Sequence, residues 1–340
     1  MSFRTLAICT LLALHIFIAL GGPVDSRSSE EELVMTPGGL IPKTNIHAVP
    51  EGARVHHTKD QVQIIGADGT VLHTAPVFAG TPTKLNIAPT TRSSAPRSLQ
   101  SGYIAYAFWE NPATSIINSF TTSWTVPPTP TSLNGQLLYW FNGLVPNSFD
   151  AILQPVLQFG VSPAGGGNFY AVASWFVVGS SAFHGPLTTV QPGQQLTGFM
   201  ILDADDPVNS TLTVYTWSSS FRGVSGPFDV TTTELLSFAY EALEIYTTPF
   251  ATDLPAGHTA MTGINIGIPP VASLGWEVVS DFTDRVLMSV SSASSTNGAM
   301  QITYPQVPEW SAVVDLLQVL EEEFRKPSIS HSRHEFEVFG

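Results

Sequence analysis

Cysteine is all but missing: Cys9 is the only one in 340 residues, and it lies inside the apolar run that opens the chain. Once that run is removed, the protein has no disulfide, no thiolate metal ligand and no cysteine nucleophile, so its stability must come from packing. Charge is scarce as well. Charged residues make up 12% of the chain, and 13 Lys and Arg face 27 Asp and Glu for a net charge of -14. A chain that is 43% hydrophobic and this acidic reads as a globular protein that repels nucleic acid and anionic membrane, so neither is expected as a partner.

Several catalytic signatures are also lacking. There is no Gly-x-Ser-x-Gly elbow, no His-Glu-x-x-His pair and no Gly-Lys-Ser/Thr phosphate loop. Within residues 101–305 the only histidines are His184 and His258, which leaves little for a histidine triad or a zinc site. Asp203, Asp205 and Asp206 lack the rest of a calcium loop and read as a solvated turn. No metal and no cofactor is expected.

What is present begins with a secretory signal over residues 1–21: Arg4, an apolar stretch from Leu6 to Leu20, and small residues around Gly21 for cleavage. The stretch is short for a bilayer and is followed by acidic Asp25 and Glu30-Glu31-Glu32 rather than a basic cluster, so export to the extracellular space is expected. The sequon Asn209-Ser210-Thr211 fits that route.

Residues 22–100 read as a leader or propeptide. Over residues 41–99 there are 6 Lys and Arg against 3 Asp and Glu, whereas from residue 100 onward there are 5 against 20, so the two parts attract and the leader is expected as an intramolecular partner. The leader also carries His47, His56, His57 and His73, which gain charge on acidification before most carboxylates lose theirs. Val62-Gln63-Ile64-Ile65 and Thr70-Val71-Leu72 flank a turn containing Asp68-Gly69, which predicts a hairpin. The small, polar and Pro-containing run from Ala88 to Ser98 reads as an exposed linker, either a processing site or an uncut connector.

Residues 101–305 form many short β-prone runs separated by Gly, Pro, Asn and Ser, among them Tyr103–Phe108, Leu137–Phe141, Ile152–Phe159, Tyr170–Val177 and Phe238–Ile245. This pattern predicts an all-β fold, a two-sheet antiparallel β-sandwich, with Gly165-Gly166-Gly167 as a hairpin turn and most tryptophans in the core. Residues 306–340 differ: Trp310, Val313, Val314, Leu317, Leu320 and Phe324 recur at helical spacing, so an amphipathic helix and then a disordered tail are expected.

Four short segments go further. Trp140-Phe141-Asn142-Gly143 leads to Ala151-Ile152-Leu153-Gln154. Ala171-Val172-Ala173-Ser174-Trp175 and the turn Pro192-Gly193-Gln194-Gln195-Leu196 follow, and Ala239-Tyr240-Glu241-Ala242-Leu243-Glu244 closes on a Glu. Over roughly residues 101–304 this arrangement resembles the fungal glutamic peptidases, or eqolisins, which have a concanavalin A-like, jelly-roll sandwich. The resemblance implies a secreted acid endopeptidase acting on polypeptides, in which Gln154 and Glu244 are catalytic and activate one water between them. Trp140 and Trp175 would line the substrate cleft. Two positions where the family carries acids fall at Leu144 and Ser174 here, and their loss implies either a shifted pKa for Glu244 or a catalytic role that has gone.

Such a pair has a definite logic. A Glu can take a proton from water as it attacks a peptide carbonyl and return one to the leaving amine, while a Gln amide donates to the developing oxyanion. Strand alternation puts the rival Glu241 on the face opposite Glu244, and the rival Gln158 on the same face as Gln154, with Pro155 interrupting the ladder between them. The alternative is that each polar residue simply faces solvent. In that case the chain is a noncatalytic, carbohydrate-binding, lectin-like sandwich, because such scaffolds serve many tasks. A glycoside hydrolase would need two facing carboxylates, and no such pair announces itself.

Overall fold

The computed structural model describes residues 31–77, 102–112, 115–209 and 212–305. The expected signal, the expected linker from Ala88 to Ser98, most of the sequon and the expected C-terminal helix all lie outside these residues. Among the described residues there is no α-helix, and no helix is long and apolar enough to cross a membrane.

In chain order residues 22–100, read above as a leader and called so below, contribute β1 (Leu33–Thr36), β2 (Gly39–Pro42), β3 (Ile46–Ala48), β4 (Arg54–His57), β5 (Gln61–Ile65) and β6 (Val71–Pro76). The body follows with β7 (Gly102–Glu110), β8 (Ser119–Thr125), β9 (Leu137–Pro146), β10 (Ala151–Ser162), β11 (Gly165–Val178), β12 (Ser181–His184), β13 (Thr188–Thr189) and β14 (Gln195–Asn209). The last are β15 (Leu212–Phe221), β16 (Phe228–Thr232), β17 (Leu236–Tyr246), β18 (His258–Ile266), β19 (Glu277–Val279), β20 (Leu287–Ser292) and β21 (Gly298–Thr303).

The strands make the expected two-sheet sandwich. A nine-stranded sheet runs β19-β7-β17-β9-β10-β11-β12-β3, with β13 also on β11, and a ten-stranded sheet runs β20-β21-β18-β8-β14-β15-β16-β4-β5-β6. Pairing is antiparallel within the body, as short connections favour. The two parallel contacts are where the leader joins: β3 on β12 and β4 on β16. The leader therefore ends each sheet, and its predicted hairpin is β5 and β6.

Two hydrophobic clusters define the faces of the nine-stranded sheet. The larger fills the space between the sheets and includes Trp124, Trp140 and Trp217. The smaller lies on the opposite, outer face and holds Tyr139, Phe141, Ile152, Val156, Trp175 and Tyr240, together with Ile41 from β2. A buried aromatic side chain removes about 150–250 Å² from water, so each fully buried Trp contributes at most roughly 4–6 kcal/mol. Contributions of that size do the stabilising that disulfides do elsewhere.

Because both faces are covered, the central strands are buried along their length. Every residue of β9 and β17 is buried, and on β10 only Val161 is exposed. The expected glycine turn is displaced by a few residues: β10 and β11 are joined through Pro163-Ala164, and Gly165, Gly166 and Gly167 already pair with β10. At Gly166, with φ +112°, a Cβ would sit 2.3 Å from the Gly160 carbonyl, so only glycine allows this approach.

Candidate active site

Gln154 and Glu244 both lie on the outer face of the nine-stranded sheet. On β10, Ile152 and Val156 belong to the outer cluster and Leu153 and Leu157 to the inner one, so alternation turns Gln154 outward. On β17, Ala242 and Tyr246 are outer while Leu243 and Ile245 are inner, which turns Glu244 outward too. Neither meets solvent, since both have 0% relative exposure.

The two strands flank β9, where Glu244 pairs with Tyr139 and Gln158 pairs with the same Tyr139. Gln154 is thus offset along its strand from the position level with Glu244 and lies diagonally from it across the sheet. Pro155 has no N–H to give, and the β9–β10 ladder skips from Leu153 to Val156 there. A register shift between Leu243 and Glu244 on the β7 side adds a bulge beside the acid, a device that re-aims a side chain.

A segment of the leader spans this diagonal. The hairpin of β1 and β2 turns at Pro37-Gly38, and its tip sits on the outer face. Gln154 Nε2 donates to the Pro37 carbonyl at 2.5 Å, and the Gly38 N–H donates to Glu244 Oε1 at 3.3 Å. Tyr139 Oη donates to the Met35 carbonyl at 3.3 Å. The carbonyl of Pro37 and the N–H of Gly38 belong to one peptide unit, so the amide and the acid hold its two ends.

Around this unit several polar atoms have no partner among the described residues: Gln154 Oε1, Glu244 Oε2, the Tyr103 hydroxyl and the Trp175 indole nitrogen. Tyr246 donates a short hydrogen bond to Glu244 Oε1. Burial pushes the Glu244 carboxyl up to about 8, against the opposing pull of the Tyr246 and Gly38 hydrogen bonds. Under the hairpin it is therefore protonated through the acidic and neutral range. Replacing Tyr246 with Phe deletes a donor that favours the charged form, so the Glu244 titration is expected to move to higher pH when followed by carbon-13 NMR. An unmoved or lowered midpoint would contradict that assignment.

The rival residues are engaged elsewhere. Gln158 shares the outer face, but its amide donates to the Gly160 and Gly165 carbonyls at 3.2 and 3.0 Å and accepts from Ser162 at 2.9 Å, locking the β10–β11 bulge. Glu241 points inward, where Thr122 donates to it in a short hydrogen bond, and burial raises its pKa well above the usual carboxylate range. A neutral acid and an amide have similar shape and hydrogen-bonding capacity. Glu241→Gln is accordingly expected to keep stability within about 1 kcal/mol in thermal unfolding; a loss several times larger would mean that the charge matters there.

Two expectations are corrected. Trp140 does not line the outer face: its side chain is in the inter-sheet core, where the indole N–H donates to the Tyr304 hydroxyl at 2.8 Å. Its neighbour Tyr139 takes the place facing the hairpin. Leu144 and Ser174 also face inward, Leu144 within the inter-sheet core and Ser174 bonded to Ser219 at 3.0 Å, so they do not reach Glu244. Trp175 does belong to the outer face, directly opposite Gln154 in register. The sequence reading missed Tyr139, Tyr246 and the Pro37-Gly38 turn. Tyr246 lies two residues beyond Glu244 on the same strand face, which was the available signal.

No family model and no curated protein sequence matches this chain. The solved structures that are similar to it include two peptidases. One is scytalido-glutamic peptidase with a transition state analog inhibitor, at 12% identity and a TM-score of 0.38, covering 61% of this chain and 99% of that one. The other is SCP-B, a member of the eqolisin family of peptidases in complex with the tripeptide Ala-Ile-His, at 11% identity and a TM-score of 0.36, with the same coverage.

Proposed function

We propose that this protein is a secreted, acid-active endopeptidase of glutamic type, made as a precursor whose own leader occupies its site. The single observation that carries the reading is the peptide unit of Pro37 and Gly38, held at its carbonyl by Gln154 and at its N–H by Glu244. A peptide bond to be hydrolysed needs those two contacts: a donor on the oxygen that becomes an oxyanion and a proton source at the nitrogen that leaves.

The remaining atoms supply the nucleophile's requirements. Gln154 Oε1 and Glu244 Oε2 have no partner among the described residues, and once Glu244 is ionised a water has two hydrogens to give them. In the reaction Glu244, ionised, removes a proton from that water as its oxygen adds to the substrate carbonyl. The Gln154 amide stabilises the oxyanion, and the protonated Glu244 then delivers its proton to the departing nitrogen. Tyr246, through its bond to Oε1, acts as a positioning residue.

The seated turn is an inhibitor on this reading. It keeps Glu244 dry and protonated, so the base form needed for the first step is missing. The test is cleavage of an unstructured protein by the purified chain across acidic and neutral pH, with products identified by mass spectrometry and a glycan-binding screen run in parallel. Saturable glycan binding without any proteolysis would overturn the proposal in favour of a lectin-like role.

A further inference from the structure

Most of the histidines that the structure describes lie where the leader meets the body. His47, on β3, is opposite Phe183 of β12 in the parallel register, with ring centroids 5.0 Å apart. Its other neighbour is His73 of β6, at 4.2 Å between centroids, so this contact ties an end of one sheet to an end of the other. His184, also on β12, packs its ring 4.9 Å from Trp175, the residue across from Gln154. At the second seam, His56 and His57 of β4 face Thr231 and Thr232 of β16, with Nδ1 to hydroxyl distances of 2.6 and 2.9 Å. His57 is only 3% exposed.

Few opposite charges face these rings. β12 offers no ionisable side chain but His184, and β5, which pairs with β4, offers none. β16 offers Asp229, which pairs in register with Arg54 rather than with a histidine. Asp150 acts on His57 from the body, and Arg54 acts against the charged form of His56. Among the described residues, protonation would thus place several cations in two seams where the carboxylates named are Asp229, in register with Arg54, and Asp150, which acts on His57.

We propose that the histidines of the two seams form an acid latch: when they are protonated the leader strands β3 and β4 separate from β12 and β16, and the Pro37-Gly38 turn withdraws from Gln154 and Glu244. This regulation rests on the reading that the turn masks the site.

The sign follows from the groups involved. Burial lowers His47 and His57 from 6.5 to about 4, with His73 and His184 adding repulsion at His47, and it lowers His56 and His184 as well. A depressed basic group binds its proton more tightly in the released form, so docking is strongest above its ordinary value and weakens as pH falls from about 6.5 towards 4. Glu244 works the other way, because its raised value of about 8 favours docking as pH falls. Its contribution is complete near its ordinary 4.5, however, while four histidines oppose one acid and His47 and His57 go on losing docking energy to about 4.

Pulse hydrogen exchange on the full chain tests the latch without reference to catalysis. Backbone amides of β3 and β4 are expected to lose protection between pH 6.5 and about 4, while those of β9, β10 and β17 keep theirs. In His47→Gln/His57→Gln the midpoint should fall by about one pH unit or more, and in His73→Gln, which removes repulsion acting on His47, it should also move to lower pH. Unchanged protection of β3 and β4 over that range in the parent chain overturns the proposal, and so does an unshifted midpoint in variants whose central strands are protected at neutral pH. If the leader opens with acid but no protein is cleaved, the latch stands and the peptidase reading fails; if cleavage occurs with the leader docked, the reverse holds.

Discussion

Glu244→Gln and Gln154→Ala are each expected to slow cleavage of an unstructured substrate a hundredfold or more, with the fold intact. A general acid–base residue contributes about 10²–10⁴ in rate and a single oxyanion donor about 10²–10³, so kcat should fall by at least a hundredfold in either variant. The double variant should fall little further, because groups that act on one transition state as a unit are not additive. Stability changes in a way that separates this loss from misfolding. Under the hairpin Glu244 is protonated below about pH 8, and Gln has nearly the shape of a protonated Glu, so Glu244→Gln should melt no lower than the parent at neutral pH. The check pairs kcat/KM with thermal unfolding on the same samples. Parental rates in both variants, with normal melting, would remove Gln154 and Glu244 from the chemistry.

The second large effect comes from the leader. Gly38 has φ +137°, which proline cannot adopt, and its N–H is the group that reaches Glu244. Gly38→Pro therefore removes one contact, misplaces the Pro37 carbonyl under Gln154 and strains the turn. Two hydrogen bonds at about 1 kcal/mol each, plus the strain, shift the docking equilibrium by roughly ten- to a hundredfold. The initial rate of peptide cleavage near neutral pH should rise by a similar factor. With water readmitted, the pKa of Glu244 should also drop from about 8 towards its ordinary 4.5, which moves the base limb of the pH–rate curve to lower pH. A variant no faster than the parent, with its Glu244 limb in the same place, would mean that the hairpin does not obstruct the site.

Much of the body could be read from local pattern. The runs around Tyr103, Leu137, Ile152, Tyr170 and Phe238 all became strands, the turn at Asp68-Gly69 does join β5 to β6, and alternation rightly separated Glu241 from Glu244. Pro155 left its mark on the ladder as its missing N–H requires. Alternation is no guide on β9, because a strand buried on both faces has no polar side to count from; the cleft-lining place of Trp140 rested on the resemblance alone, and its side chain faces the inter-sheet core. The same uniform burial is why Gln154 and Glu244, which might have been solvent-facing, are covered. The hairpin at Pro37-Gly38 escaped notice for another reason. Its strands are four residues each, and its partner Gln154 is 117 positions away, so its placement depends on a long-range contact that no local window contains.

The ways in which the leader joins the sheets carry a liability. β3 and the β4–β6 group terminate the two sheets, so their departure would leave β12 and β16 with a row of bare backbone donors and acceptors each. Such margins recruit any extended chain, including a second copy of the same molecule. The freed body would therefore be adhesive at the moment it becomes active, and crowding would favour clumping over work.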